Sequence, residues 1–328
     1  MSDLTRRDRA MGAVVGMFVG DALGLGPHWY YDLAQLRADY GDWIDDYAPP
    51  KPGRYHEGCQ AGDVSQTGQV SLLLLSSLAE IGEYDQTDFT DRLDGFLNTL
   101  DGTPQGGRYT DIAMREVWQG RRNGKPWGEA AGNADSAEAA IRGVVLAARY
   151  AASPRDLAAH AMANIGLTHA EPFIKAQSLA FVLAACRLIR GKDLSGSGKS
   201  LMGWAQHEVD RALIDAFLHP GLVHEAAANP EIVVEPPHAI AQIYGLACQL
   251  GFLAPAAYWL AGRHGRDFET AVLTAVNGGG NNMARASMTG ALSGAMVGLG
   301  GIPKRFIDGL RDRDEILGNA EKMVEALV

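Results

Sequence analysis

The chain has 328 residues, 47% hydrophobic and 21% charged, a balance that suits a folded globule with a large core and excludes disordered or fibrous classes. Its formal net charge of −10, with no cluster of Lys and Arg, argues against a nucleic-acid backbone as partner, because neutralising phosphates needs concentrated positive charge. Cys59, Cys186 and Cys248 form no C-x-x-C pair, which argues against a disulfide framework or a zinc ribbon and suits a reducing, cytoplasmic compartment.

Basic residues precede an apolar stretch over residues 10–19, but Gly20 and Asp21 interrupt it well short of the roughly 20 residues a membrane span needs. The same periodic pattern continues through Asp21-Ala22-Leu23-Gly24 where a signal peptide would end, so a buried helix is expected and no membrane partner. Gly12, Gly16, Gly20 and Gly24 recur at intervals of four, as do Gly290, Gly294 and Gly298. Each helical glycine costs about 1 kcal/mol relative to alanine, so a row on one face implies close backbone approach, and the spacing predicts two central helices packed together. Asp63 with Gln66, Asp135 with Glu138, Ser153 with Pro154 and Thr168 with Glu171 are helix-start signatures, and Gly191 is placed to stop the last of these helices. No alternating β-branched run exceeds residues 231–235, so few or no strands follow. Residues 191–200 read as a flexible surface connection, whose Gly198-Lys199-Ser200 lacks the upstream glycine of a phosphate loop, Asp193 standing there instead. His207, His219, His224, His238 and His264 show no paired metal spacing and read as surface or structural residues.

Three stretches could carry chemistry. In residues 20–32, a glycine-rich helix end runs into His28, Trp29, Tyr30 and Tyr31. Imidazole suits proton transfer near neutral pH and aromatic rings can stack a base or sugar, although core packing would account for the same residues. In residues 61–70, Asp63, Ser65, Gln66 and Thr67 offer oxygens at a helix N-terminus, serving either a ligand or simple capping. In residues 277–286, three glycines permit close approach to a ligand beside Asn281 and Asn282, or form an ordinary turn between helices. Asp111, Asn133 and His169 are weaker signals, each preceding a helical pattern.

Taken together, these stretches resemble the ADP-ribosylglycohydrolase family in order and spacing from about Met11 to Pro303. The resemblance rests on Gly20-Asp21-Ala22-Leu23-Gly24, on Gly132-Asn133 leading to Arg142, on Thr168-His169, and on the Gly279-Gly280 loop followed by GALSGA and Ile302-Pro303. It implies one all-α domain over residues 1–328, a compact multi-helix bundle with its active site in a central cleft. It also implies a glycosidic hydrolase, and together with the residue chemistry above it makes Asp21, Trp29, Tyr30, Gln66, Thr67, Asp111, Asn133, His169, Gly279, Gly280, Asn281 and Asn282 the expected substrate contacts.

The departures from the family fall on its metal chemistry. A family glutamate seven residues after the GDALG aspartate is His28 here. The family's Thr-Asp-Asp-Thr motif aligns with Ser65-Gln66-Thr67-Gly68, and its Gly-Gly-Asp-x-Asp-Thr motif with Gly279-Gly280-Asn281-Asn282-Met283-Ala284. Magnesium demands hard oxygen ligands, usually carboxylates, so no binuclear magnesium site and no cofactor is expected, while a variant centre in which His28 and Asp63 hold a softer metal stays open. The expected activity is cleavage of an N- or O-glycosidic bond of an ADP-ribosyl, ribosyl or related small molecule, with His28 and Asp63 as the catalytic residues. The alternative is a catalytically inactive protein that binds ADP-ribose or a nucleotide in the same cleft. Homodimerisation is a base-rate expectation only.

Overall fold

The computed structural model describes residues 4–100, 110–210, 212–213 and 220–325. Helices are numbered in chain order: α1 Arg6–Leu25, α2 Leu33–Tyr40, α3 Gln66–Ile81, α4 Gln86–Leu97, α5 Ile112–Arg122, α6 Glu138–Arg149, α7 Pro154–Ile165 and α8 Pro172–Ile189. Then follow α9 Gly198–Ala205, α10 Pro220–Ala228, α11 Ile240–Tyr244, α12 Leu250–His264, α13 Phe268–Asn277, α14 Asn282–Val297, α15 Lys304–Gly309 and α16 Arg313–Glu325. No strand occurs among the described residues, and three isolated bridges, Tyr30 with Gly280, Gly132 with His169 and Ser136 with Gln249, are the β-type pairings. The all-α expectation is met.

The two glycine rows meet. A Cβ on Gly12 would overlap the Gly294 carbonyl oxygen, one on Gly16 that of Gly290, one on Gly20 that of Ala286, and one on Gly24 the Met283 backbone. α1 is buried all round from Ala10 onward and α14 from Asn282 to Ala295, as helices at the centre of a large core must be. α6, α8, α13 and α16 pack on α1, while α8, α12 and α13 pack on α14. α8 is apolar and long enough to cross a membrane, yet it is 72% buried in the core between α6, α7 and α12.

Helix starts shift from the sequence expectation in informative ways. Ser65, not Asp63, caps α3, its Oγ accepting from Gly68 N–H at 3.2 Å. Glu171, not Thr168, caps α8, accepting from Ile174 N–H at 2.8 Å. α6 has no side-chain cap at all, which releases Glu138 from the capping role its spacing suggested. Residues 198–205 form α9 rather than a flexible connection, anchored by the buried Leu194 and Leu201. His219 lies outside the described residues.

Candidate active site

Because the glycine rows bring α1 and α14 into backbone contact, the residues after α1 and those opening α14 stand side by side. The N-termini of α3, α5, α6 and α14 converge on the same place, where they enclose a cavity of about 150 Å³. His28 and Trp29 line it from the end of α1, Ser65, Gln66 and Thr67 from α3, and Asp111, Ile112 and Arg115 from α5. Ser136 and Glu138 come from the start of α6, Cys248 from the turn before α12, and Asn281 and Met283 from α14. Four helix N-termini aimed at one cavity present their positive ends to whatever binds there.

His28 is 3% exposed, and burial lowers its pKa to about 4, so the imidazole is neutral at physiological pH. Its Nδ1 lies 3.2 Å from Asn282 Oδ1. Asn282 donates its amide hydrogens to the carbonyls of Pro27 (3.1 Å) and Val276 (3.3 Å), which fixes Oδ1 as an acceptor. His28 therefore donates from Nδ1 and keeps Nε2 as its acceptor nitrogen. Trp29 stacks on His28 at 5.1 Å and has a positive φ of 68°, a conformation costly for a residue with a Cβ. The Arg54 guanidinium helps hold it there by donating to the Trp29 carbonyl at 2.9 Å. Backbone strain placed at a cavity wall is a common mark of functional sites.

Asp111 and Glu138, both partly buried, form an acid pair on the cavity wall. Asp111 caps α5, with Oδ1 accepting from Met114 N–H at 2.7 Å, while its buried Oδ2 has no hydrogen-bond partner. Burial raises its pKa against the lowering effect of the Met114 N–H, the Gln66 side chain and the charges of Arg115 and Arg142. The Glu138 side chain is 13% exposed, and burial together with the Asp111 charge pushes its pKa up to about 8. Two carboxyls so placed cannot both ionise readily, and they titrate as a unit. Sequence spacing assigned Glu138 only a capping role, and Ser136, Arg115 and Cys248 were also missed as site residues. The available signal was a lone acid in the apolar run 137–148, four residues before the equally lone Arg142 and hence on the same helix face.

The other expected site residues divide clearly. Trp29, Gln66, Thr67, Asp111 and Asn281 line the cavity with His28. Gln66 Oε1 accepts from Asp111 N–H at 3.0 Å, so it also braces the α5 start. Asp21 sits behind the wall, its two oxygens accepting from Ser65 N–H and Ser65 Oγ–H at 2.6 Å each, and so shapes the α3 turn. Tyr30 is buried with its hydroxyl donating to Asp39 at 2.6 Å. The Gly279 and Gly280 backbone is committed to protein, Gly280 N–H donating to the Tyr30 carbonyl at 2.7 Å and the Gly279 carbonyl accepting from Arg285 at 2.5 Å. Asn133 is exposed, and His169 lies in a smaller cavity beneath the first, with Arg142 and Thr168. Asp63 stands apart from the cavity: it accepts from Gln60 N–H at 2.8 Å and pairs with Arg311 at 3.1 Å. The carboxylates at the cavity are Asp111 and Glu138 instead.

The binuclear magnesium centre implied by the resemblance does not fit this donor set. Ser65, Gln66, Thr67, Asn281, Asn282 and Met283 occupy the relevant positions, and the Asn282 amide is committed to protein partners. Among the described residues no group of three or more His, Cys, Asp or Glu could hold a metal ion. Each magnesium ion takes one or two carboxylates, so two ions would have to share the single Asp111 and Glu138 pair at this cavity.

Comparison with known proteins agrees with this architecture. An uncharacterized protein of Archaeoglobus fulgidus is 25% identical over 323 residues, covering 97% of this chain and 96% of the relative. The uncharacterized protein YegU of Escherichia coli K12 is 25% identical over 317 residues, covering 90% of each. A solved structure described as an ADP-ribosylglycohydrolase-related protein complex superposes with a TM-score of 0.67 at 22% identity, covering 98% of this chain and 99% of that one, which supports the fold. The ADP-ribosylglycohydrolase family model matches residues 2–328, and the chain belongs to the ADP-ribosylglycohydrolase family.

Proposed function

We propose that the protein hydrolyses an N- or O-glycosidic bond of a ribosyl, ADP-ribosyl or related small-molecule substrate, and that it does so without a binuclear magnesium centre. The observation that carries this reading is the partly buried Asp111 and Glu138 pair on the cavity wall, where burial and the Asp111 charge push the Glu138 pKa up to about 8. Glycosidic cleavage needs a proton for the leaving atom and a negative charge facing the sugar as it becomes cationic. A pair holding one proton provides both. The cavity, at about 150 Å³, matches the volume that holds a single small ring, so it suits one furanose with the leaving group toward the mouth.

In this scheme Glu138 gives its proton to the leaving oxygen or nitrogen as the bond to C1 breaks and the electron pair departs with that atom. Ionised Asp111 on the cavity wall faces the developing positive charge. Water then adds to C1 and its proton passes to Asp111 and from there to Glu138, so the cycle closes with Glu138 protonated and Asp111 ionised. His28 Nε2 accepts a hydrogen bond from that water; with its pKa near 4 it orients rather than deprotonates. Thr67 and Asn281 supply polar contacts for the ring hydroxyls.

The test is to incubate the purified protein with a panel of ADP-ribosyl conjugates and ribonucleosides, with and without a chelator, and to follow sugar release by chromatography. Release that survives the chelator supports the proposal. Release that requires added magnesium refutes its metal-free part, and no release alongside thermal stabilisation by ADP-ribose favours a binding protein without turnover.

A further inference from the structure

Behind Glu138 runs a buried chain of polar side chains that the scheme above does not use. Arg142, 1% exposed, donates to Asn164 Oδ1 at 2.7 Å and to Thr168 Oγ1 at 3.1 Å. Thr168 Oγ1 lies 2.9 Å from His169 Nδ1, and His169 Nε2 lies 3.4 Å from Ser136 Oγ and 3.8 Å from Glu138 Oε2. The Ser136 hydroxyl donates to Glu138 Oε2. Thr168, His169 and Ser136 are all essentially buried, and backbone bridges from Gly132 to His169 and from Ser136 to Gln249 lock the segments that carry them.

Donor and acceptor roles along the chain follow from its ends. Arg142 has donors only, so Thr168 Oγ1 accepts from it and has its own proton for His169 Nδ1. His169 is neutral, burial lowering its pKa to about 3, and because Ser136 gives its proton to Glu138 the imidazole proton sits on Nε2 and faces Ser136 Oγ, with Glu138 Oε2 just beyond at 3.8 Å. Oε2 thus meets donors alone. A proton on the neutral Glu138 carboxyl belongs on the other oxygen. The charged groups around this carboxyl are Asp111 and Arg115 from α5 and Arg142 from its own helix.

We propose that His169 is a positioning residue, which through Ser136 keeps Glu138 Oε2 occupied by donors and so holds the acid's proton on the oxygen that meets the leaving atom. The inference rests on the hydrolase reading for its kinetic consequence, and it narrows the substrate class to glycosides whose leaving group needs that proton, such as an alkyl oxygen or an amide-like nitrogen. A nitrophenolate, stable as an anion, departs without it.

The experiment compares benzyl riboside with 4-nitrophenyl riboside in the native protein, His169→Phe and His169→Gln. Phenylalanine removes the Nε2 donor, and turnover of the benzyl riboside should fall about 100-fold while that of the nitrophenyl riboside falls less than about threefold. Glutamine can accept from Thr168 and donate to Ser136, and should restore most of the loss. Equal losses on both substrates overturn the proposal. A second readout needs no turnover: the infrared carbonyl band of protonated Glu138, identified by its disappearance in Glu138→Gln, should shift in His169→Phe. An unshifted band overturns the proposal whether or not any riboside is cleaved, whereas a shifted band without cleavage in the native protein retires the hydrolase reading and leaves the positioning intact.

Discussion

Replacing Glu138 with glutamine should stabilise the fold, and by an amount that depends on pH. The amide keeps the shape of the side chain and an acceptor for Ser136 and His169, but it carries no charge. In the native protein burial and the Asp111 charge push the carboxyl from 4.5 to about 8. A carboxyl whose folded pKa lies above its unfolded value contributes stability that is full below the unfolded pKa and is lost as pH rises through the folded one. The window therefore runs from about pH 4.5 to about pH 8. At about 1.4 kcal/mol per tenfold change in proton affinity, the shift amounts to a few kcal/mol, on the order of 3 to 5. Glu138→Gln should accordingly be more stable than the native protein by roughly that amount at about pH 9, and nearly equal to it at about pH 4.5. Urea unfolding followed by circular dichroism at a series of pH values measures this directly, provided the slope with denaturant is unchanged. A difference that stays constant with pH would refute the assignment of Glu138 as a buried, protonated acid.

Three further substitutions probe the frame and the site. Gly16→Ala gains about 1 kcal/mol of helix propensity but drives a methyl into the rigid Gly290 carbonyl at the upper end of the overpacking cost, about 3 kcal/mol, so a net loss of roughly 2 kcal/mol should appear as a lower melting temperature. Asp21→Asn leaves Ser65 facing an amide that cannot accept both of its hydrogen bonds; a loss of about 1 to 3 kcal/mol should accompany reduced turnover, measured by calorimetry and sugar release together. Asp63→Asn removes the charge that pairs with the half-exposed Arg311 and should change stability by about 1 kcal/mol or less, with turnover intact. Lost turnover in that variant would return Asp63 to the catalytic set.

The central helix pair was legible because a glycine every fourth residue has a single economical explanation, and Gly12, Gly16, Gly20 and Gly24 indeed meet Gly294, Gly290, Ala286 and Met283. Once that pair exists, the convergence of His28 with Asn281 and Asn282 follows from chain connectivity. Asp63 misled because a loop has no periodicity to set the direction of its side chains, and its partner Arg311 lies 248 residues further along the chain. Glu138 was hidden by its spacing from Asp135, which mimics a capping box; only the fold shows that α6 starts without a side-chain cap and turns the acid inward. Asn282 was legible as a site residue but not in its role, since committing its amide to Pro27, Val276 and His28 depends on contacts more than 250 residues apart for two of the three. His169 likewise takes its meaning from Ser136, brought to it by the bridge between Gly132 and His169.

The most direct measurement is riboside turnover by Asp111→Asn and Glu138→Gln beside the native protein, in chelator throughout. If the acid pair carries the chemistry, each variant should lose about 100-fold or more while remaining folded, and the loss in Glu138→Gln should be greatest for the leaving group most in need of a proton. Full turnover by either variant would contradict the account.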